Sequence, residues 1–427
     1  MPMSGEHVND TAAGANQTMP PAIRRQNALT LLLVLGTAFA LAVRINISPM
    51  MMNQVMDYTE EGGAFYEKLH FGTYMIVLML PITLFSQPIR LWGDEIDRFK
   101  VLIWYCLAML AFVVLLFITG RPGSSVFIID TYLVAGAAGL IALALGRDAR
   151  RLLGEIVLVM LIASAVIGIG EAITQVRLLP SDLVEDSFRP LGLSEHPLAL
   201  GALCATAVGF VALARWRVWV RVLLILVLLI GCAAAGARFA LLLTVAEILG
   251  LLIFVPWPGL SPRQSRRAKV GVLLVTLIGG AIVFAVLAGG GLLGRFSDTL
   301  FDENFYARLT VYQAFWLVGW QELVFGMPPA DLLALVNNEL NLPFIESAQV
   351  VIGLTFGIPL ALVFTWVVCW IMLRLLRGAP LVAWIATGTF LLAALSNNTM
   401  SAKQPVLTVV FILLIAFGIP RQKAETS

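Results

Sequence analysis

The chain has 427 residues, 59% of them hydrophobic and 13% charged, with a formal net charge of +2. That balance excludes a soluble globular protein. The apolar residues run continuously rather than alternating, over stretches that suit membrane helices of about 20 residues, which excludes a β-barrel and gives an all-α polytopic membrane protein.

Residues 1–27 are polar, rich in Gly, Pro, Asn and Thr, and end near Arg24-Arg25, so they are expected to form a disordered cytoplasmic tail rather than a signal peptide. Helices are expected at about 28–43, 71–86, 101–119, 126–145, 152–173, 197–214, 219–236, 238–255, 270–288, 347–373, 380–396 and 404–419. These twelve, or eleven if the nearly continuous pair around Gly236 counts as one, make one transmembrane domain over 28–419, followed by a short cytoplasmic tail at 420–427. With a cytoplasmic amino terminus, nineteen of the 28 Lys and Arg fall on inside segments and nine outside, which satisfies the positive-inside rule. The nine outer cations are Arg44, Lys68, Arg121, Arg177, Arg189, Arg238, Arg295, Arg308 and Lys403.

Two outer connections stand out. The first, residues 44–70, carries Asp57, Glu60, Glu61, Glu67 and His70, an acidity expected to shape a groove for an acceptor. The longer one, 289–346, lies between the ninth and tenth helices. Its Phe305, Leu309, Tyr312, Phe315 and Trp316 have helical spacing and suit either a helix lying in the outer interface or packing on the bundle. Cys106, Cys204, Cys232 and Cys369 lie apart in apolar runs and read as small core residues.

Gly289-x-Gly291-x-x-Gly294 has the letters of a dinucleotide fingerprint, but it follows a membrane helix rather than a strand and reads as a flexible loop. With no Walker A sequence, zinc spacing or nucleophile elbow, neither a metal nor a cofactor is expected. Nor is a nucleic-acid partner. Arg189-Pro190-Leu191-Gly192-Leu193-Ser194-Glu195-His196-Pro197 instead packs a cation, a carboxylate and an imidazole between two apolar segments. Arg189, Arg238 and Arg308 each sit at a helix boundary. Guanidinium forks there suit a diphosphate; snorkelling, or salt bridges to Asp186, Glu195 or Asp302, are the structural alternatives. Glu346, Glu195 and His196 are the candidate proton acceptors, with helix capping as the alternative for Glu346 and His196. Glu247, deep in the eighth helix, is expected to make a structural hydrogen bond.

The order of these features resembles the O-antigen ligase and polysaccharide polymerase (Wzy-type) superfamily of bacterial inner-membrane glycosyltransferases. The likeness rests on Arg189-x-x-x-Leu193, Gly236-Ala237-Arg238, Arg308 with the aromatic stretch and Phe325-Gly326-Met327-Pro328 behind it, and Glu346 with ten residues before Gly357. The resemblance implies a GT-C-like bundle whose active site faces the periplasm. It implies metal-independent transfer of an undecaprenyl-diphosphate-linked oligosaccharide, with Arg189 and then Arg238 or Arg308 gripping the diphosphate, and a chain-length regulator as a further partner. Glu346 stands where the ligases have histidine, which favours a polymerase over a ligase. A transporter or flippase for a lipid-linked or anionic solute is the alternative from another class. It calls for ionisable groups near the bilayer midplane, where Glu247 is nearly alone.

Overall fold

The structure, a computed structural model, describes residues 21–59, 64–181, 188–255, 261–289 and 303–419. Residues 1–20, Glu60, Glu61, Asp186, most of the glycine run with Arg295, Asp302 and the tail 420–427 lie outside the described residues. Among the described residues all regular structure is helical. The long helices are α1 (Pro21–Asn46), α2 (Phe71–Ser86), α3 (Asp94–Ile118), α4 (Pro122–Ala144), α5 (Arg147–Thr174), α6 (Pro197–Leu213), α7 (Val218–Ala234), α8 (Arg238–Phe254) and α9 (Pro262–Gly289). After the long connection come α10 (Glu303–Thr310), α11 (Ala314–Leu317), α12 (Trp320–Phe325) and α13 (Pro329–Leu340). The chain then ends in α14 (Ala348–Phe356), α15 (Ile358–Leu376), α16 (Leu381–Leu395) and α17 (Val406–Phe417).

Five helices are long and apolar enough to cross a membrane, namely Gln26–Asn46 of α1 together with α3, α4, α5 and α15; α2, α6, α7, α16 and α17 are shorter apolar helices. α6 and α17 are buried on nearly all sides and form the middle of the bundle. Large apolar side chains such as Leu32, Phe39, Phe85, Trp104 and Trp366 point outward instead, while Arg44, Asp130, Glu171 and Glu247 are buried. Apolar outside and polar inside is the arrangement a lipid bilayer favours.

Three expectations are corrected. Residues 21–27 are helical, as part of α1: hydropathy marks where the apolar run starts, whereas the backbone of Arg24-Arg25 already follows the helix. The helix expected over 347–373 is two, α14 and α15, separated at Gly357 with φ +81°. Cys369 is exposed, unlike the buried Cys204 and Cys232.

The aromatic stripe of the long connection divides. Val311 and Ala314 pack with Leu332, Val336, Val350 and Leu354 in a small separate core, against which Phe315 rests. Leu309, Tyr312 and Trp316 face outward, Trp316 at 88% exposure.

The connections gather at two ends. At one, Glu95 accepts hydrogen bonds from Arg147 Nε (2.8 Å) and Arg150 Nη2 (2.6 Å), Arg98 reaches the Arg377 carbonyl, and Arg151 reaches that of Leu213. At the other lie Arg44, Arg121, Arg189, Arg308 and Lys403, together with the loop 188–196.

Candidate functional site

Glu171, buried near the end of α5, organises the loop that follows it. Its Oε2 accepts hydrogen bonds from the backbone N–H groups of Leu191 and Gly192, each at 2.8 Å, and its Oε1 accepts one from Leu178 at 2.8 Å. Ser164 Oγ accepts a fourth from Leu193 at 2.9 Å. Three backbone N–H groups on one side chain and a fourth on Ser164 tie this loop to α5. Gly192 has φ +57°, and a Cβ there would lie 2.3 Å from the Ser164 carbonyl oxygen; only glycine fits.

His196 ends the loop as the N-cap of α6. Its Nδ1 accepts from the Leu198 N–H at 3.1 Å, and Pro197 occupies the first turn, where its missing N–H is no loss. With Nδ1 so engaged, the proton of the neutral ring is on Nε2. Burial first, then Arg189 and to a smaller extent Arg308, push the imidazole down to about 4, against an opposing pull from Glu346. At neutral pH this geometry makes His196 a hydrogen-bond donor, whereas the sequence reading offered it as a base.

The same electrostatic contacts identify what surrounds His196. Arg189 donates from Nε to the Ala235 carbonyl at 3.2 Å, immediately before the Gly236-Ala237 turn that leads into Arg238. Arg308 Nε bonds Glu346 Oε2 at 2.8 Å. Ser347, not Glu346, caps α14, accepting from the Val350 N–H, so the Glu346 carboxylate is left to its arginine. Arg189, His196, Arg308 and Glu346, from three separate stretches, therefore meet at one end of the bundle, and the Ala235 contact brings the turn before Arg238 to its edge.

The break in the tenth expected helix, at Gly357, receives a turn of the long connection. Arg121 Nη1 donates to the carbonyls of Phe325 (2.7 Å) and Thr355 (2.8 Å), and Met327 N–H bonds the Leu354 carbonyl at 2.8 Å. The Phe325-Gly326 turn is thus docked on the break, where a Cβ at Gly357 would lie 2.2 Å from the Val324 carbonyl oxygen. Gly357→Ala is expected to cost about 1–3 kcal/mol from the φ strain alone. A lower melting temperature of the detergent-purified protein, together with reduced activity, is the expected readout.

A second polar centre, absent from the sequence reading, lies beside the first. A π-helical turn, Ile128–Leu133 within α4, carries the fully buried Asp130. Its carboxylate accepts from Tyr58 Oη (3.0 Å), Thr73 Oγ1 (2.7 Å) and the His70 backbone N–H (3.2 Å). Arg44 Nη2 donates to the carbonyls of Asp130 (3.1 Å) and Lys403 (2.8 Å), and Lys403 Nζ lies 4.1 Å from the centre of the Tyr58 ring. Burial lowers Lys403 to about 8 despite the nearby Asp130 carboxylate. His70 is a structural cap: Nδ1 accepts from Gly72 N–H, and Nε2 contacts the Ile47 carbonyl. An isolated Asp130 in an apolar run was the available signal, as was Glu171 within the fifth helix.

Glu195 faces this second centre. Burial raises its carboxyl to about 7; Asp130 adds to the rise, while Arg44, a Gln404 hydrogen bond and Lys403 oppose it. Neighbouring residues Glu195 and His196 thus face different centres. Glu247 is buried against Gly209, and neither carboxylate oxygen has a hydrogen-bond partner of good geometry among the described residues.

No protein-family model matches this chain, and no curated protein matches it either.

Proposed function

We propose that the protein is a membrane glycosyltransferase acting on a sugar carried by a lipid diphosphate. More particularly, it is a Wzy-type polysaccharide polymerase that joins undecaprenyl-diphosphate-linked repeat units into O-antigen, capsule or exopolysaccharide. The observation that carries this reading is the convergence of Arg189, His196, Arg308 and Glu346, with the Gly236 turn before Arg238 at its edge. Guanidinium groups held at a partly buried site stabilise charge that grows on a departing diphosphate, and they do so without a metal. His196, as an Nε2–H donor, adds a further hydrogen bond to the same anion.

In this reading the twelve apolar helical segments all span the inner membrane in a GT-C-like bundle. The Glu95–Arg147–Arg150 end faces the cytoplasm, and the arginine cluster faces the periplasm. A chain-length regulator is its further partner in this reading.

The test is elongation in vitro. Purified protein in detergent, given the lipid-diphosphate-linked repeat unit and no ion gradient, is expected to produce a ladder of longer lipid-linked chains. Transfer of finished polymer to another acceptor lipid, without elongation, would make it a ligase; no transfer of any kind would overturn the reading.

A further inference from the structure

The space around Glu195 is built for a guest. Two cavities meet at Ser194 and Glu195. One of about 10 Å3 touches Arg44, Ser194, Glu195 and Pro405; the other, of about 90 Å3, is lined by Ser48, Asn53, Thr59, Ser181, Ser194 and Glu195. Two of the lining side chains carry polar atoms that make no hydrogen bond among the described residues, Arg44 Nε and Ser194 Oγ. Arg44 is 1% exposed and Ser194 6%. Unmet polar atoms at such depth are costly, so the pair on one space points to a partner.

Their chemistry selects the partner. The lining offers a donor (Arg44 Nε–H), hydroxyls that donate and accept (Ser48, Ser194) and an acceptor (the Glu195 carboxylate). A phosphate, which only accepts, would meet that carboxylate. A sugar hydroxyl donates and accepts at once and satisfies both kinds. We propose that these paired cavities are the acceptor-sugar subsite and that Glu195 is the base that takes the proton from the attacking hydroxyl, an assignment that rests on the glycosyltransferase reading above.

In the step this implies, the acceptor hydroxyl gives its proton to the Glu195 carboxylate while its oxygen forms a bond to the anomeric carbon of the donor. The bond from that carbon to the diphosphate oxygen breaks, its electron pair leaves with the lipid diphosphate, and Glu195 later returns its proton to water. Because Glu195 faces the acceptor cavities and His196 faces the arginines, adjacent residues serve the two substrates. A carboxyl titrating near 7 is well matched to a base at neutral pH. The charged and titratable groups facing it are Arg44 on α1, Tyr58 on the first outer connection, Asp130 on the π turn and Lys403 on the strap before α17.

The test uses full-length protein in liposomes with the lipid-diphosphate-linked repeat unit, and the free repeat oligosaccharide as a competitor for the acceptor subsite. Glu195→Gln is expected to slow elongation at least about 10²-fold with a melting temperature no lower than that of wild type. Glu195→Asp should retain part of the rate and move the acid limb of the pH profile away from its wild-type position near 7. Ser194→Ala, which leaves the base in place, should weaken competition by the free oligosaccharide about 2–10-fold with an unchanged melting temperature. Elongation by Glu195→Gln within a few-fold of wild type, beside an inactive Arg189→Ala, would overturn the acceptor assignment and leave the donor site standing. Unaltered elongation in both variants would remove the glycosyltransferase reading as well.

Discussion

Arg189→Ala is expected to lower polymer formation by about 10²–10³-fold, and Arg189→Lys to recover little of it. The reason lies in how the guanidinium is held. Its Nε donates to the Ala235 carbonyl at 3.2 Å, which sets the plane of a rigid fork of donors whose geometry suits an oxyanion. Lysine has one ammonium on a flexible stem. It can anchor to that carbonyl or reach a phosphate, but it has no second fixed donor group with which to do both. The readout is the length distribution of lipid-linked saccharide in a deletion strain carrying each variant, normalised to protein in the membrane fraction. Long chains at wild-type abundance from Arg189→Ala would end the proposal. Glu346→Ala offers a contrast, because its bond to Arg308 joins side chains 32% and 26% exposed. Such a pair adds about 0–1 kcal/mol to stability, so the variant should fold normally and lose activity only through misplacement of Arg308.

What could be read from the sequence follows a physical division. Helix positions were legible because burial of apolar runs in lipid leaves long, unambiguous segments, and described helices occupy every segment expected to be helical. Their ends were less so: α1 includes residues 21–27 because backbone helicity continues beyond the apolar run, and Gly357 breaks a run whose hydropathy is continuous. The ionisable residues between helices were legible as individuals, since a cation or carboxylate at a membrane edge invites a role. Their partners were not. That Arg308 would bond Glu346, or that Glu171 would hold the backbone of Leu191 and Gly192, depends on which helix ends become neighbours, and no local pattern encodes that. His196 shows the cost most clearly. The sequence supplied an imidazole and hence a base, but a single hydrogen bond from the Leu198 N–H decides which nitrogen keeps the proton and turns the residue into a donor. The second centre escaped notice because its members, Arg44, Tyr58, Asp130 and Lys403, come from four distant stretches and only Asp130 looks unusual where it stands.

Asp130→Ala is expected to cost about 3–5 kcal/mol, enough to reduce the amount of folded protein in the membrane severely. The substitution removes the acceptor of three donors, Tyr58 Oη, Thr73 Oγ1 and the His70 N–H, and strips a negative charge from beside the buried Arg44 and the half-buried Lys403. Asp130→Asn separates these two losses. Its amide oxygen can still accept from His70 and Thr73, and its amide nitrogen can donate to the Tyr58 hydroxyl, so the hydrogen bonds survive while the charge does not. The consequence falls on Lys403, which burial already lowers to about 8 and which the Asp130 carboxylate pulls upward. At Lys403 the folded state holds fewer protons than the unfolded one between about pH 8 and the ordinary lysine range. The Lys403 contribution to stability therefore rises with pH across that window and is flat below it. Without the carboxylate the folded-state value falls further, and the rise should begin below pH 8. Thermal unfolding of the two proteins in detergent from pH 6 to 10 reads this directly. A melting temperature for Asp130→Asn that climbs from a lower pH than wild type is the expected result, and identical pH profiles would mean that the carboxylate does not hold the charge on Lys403.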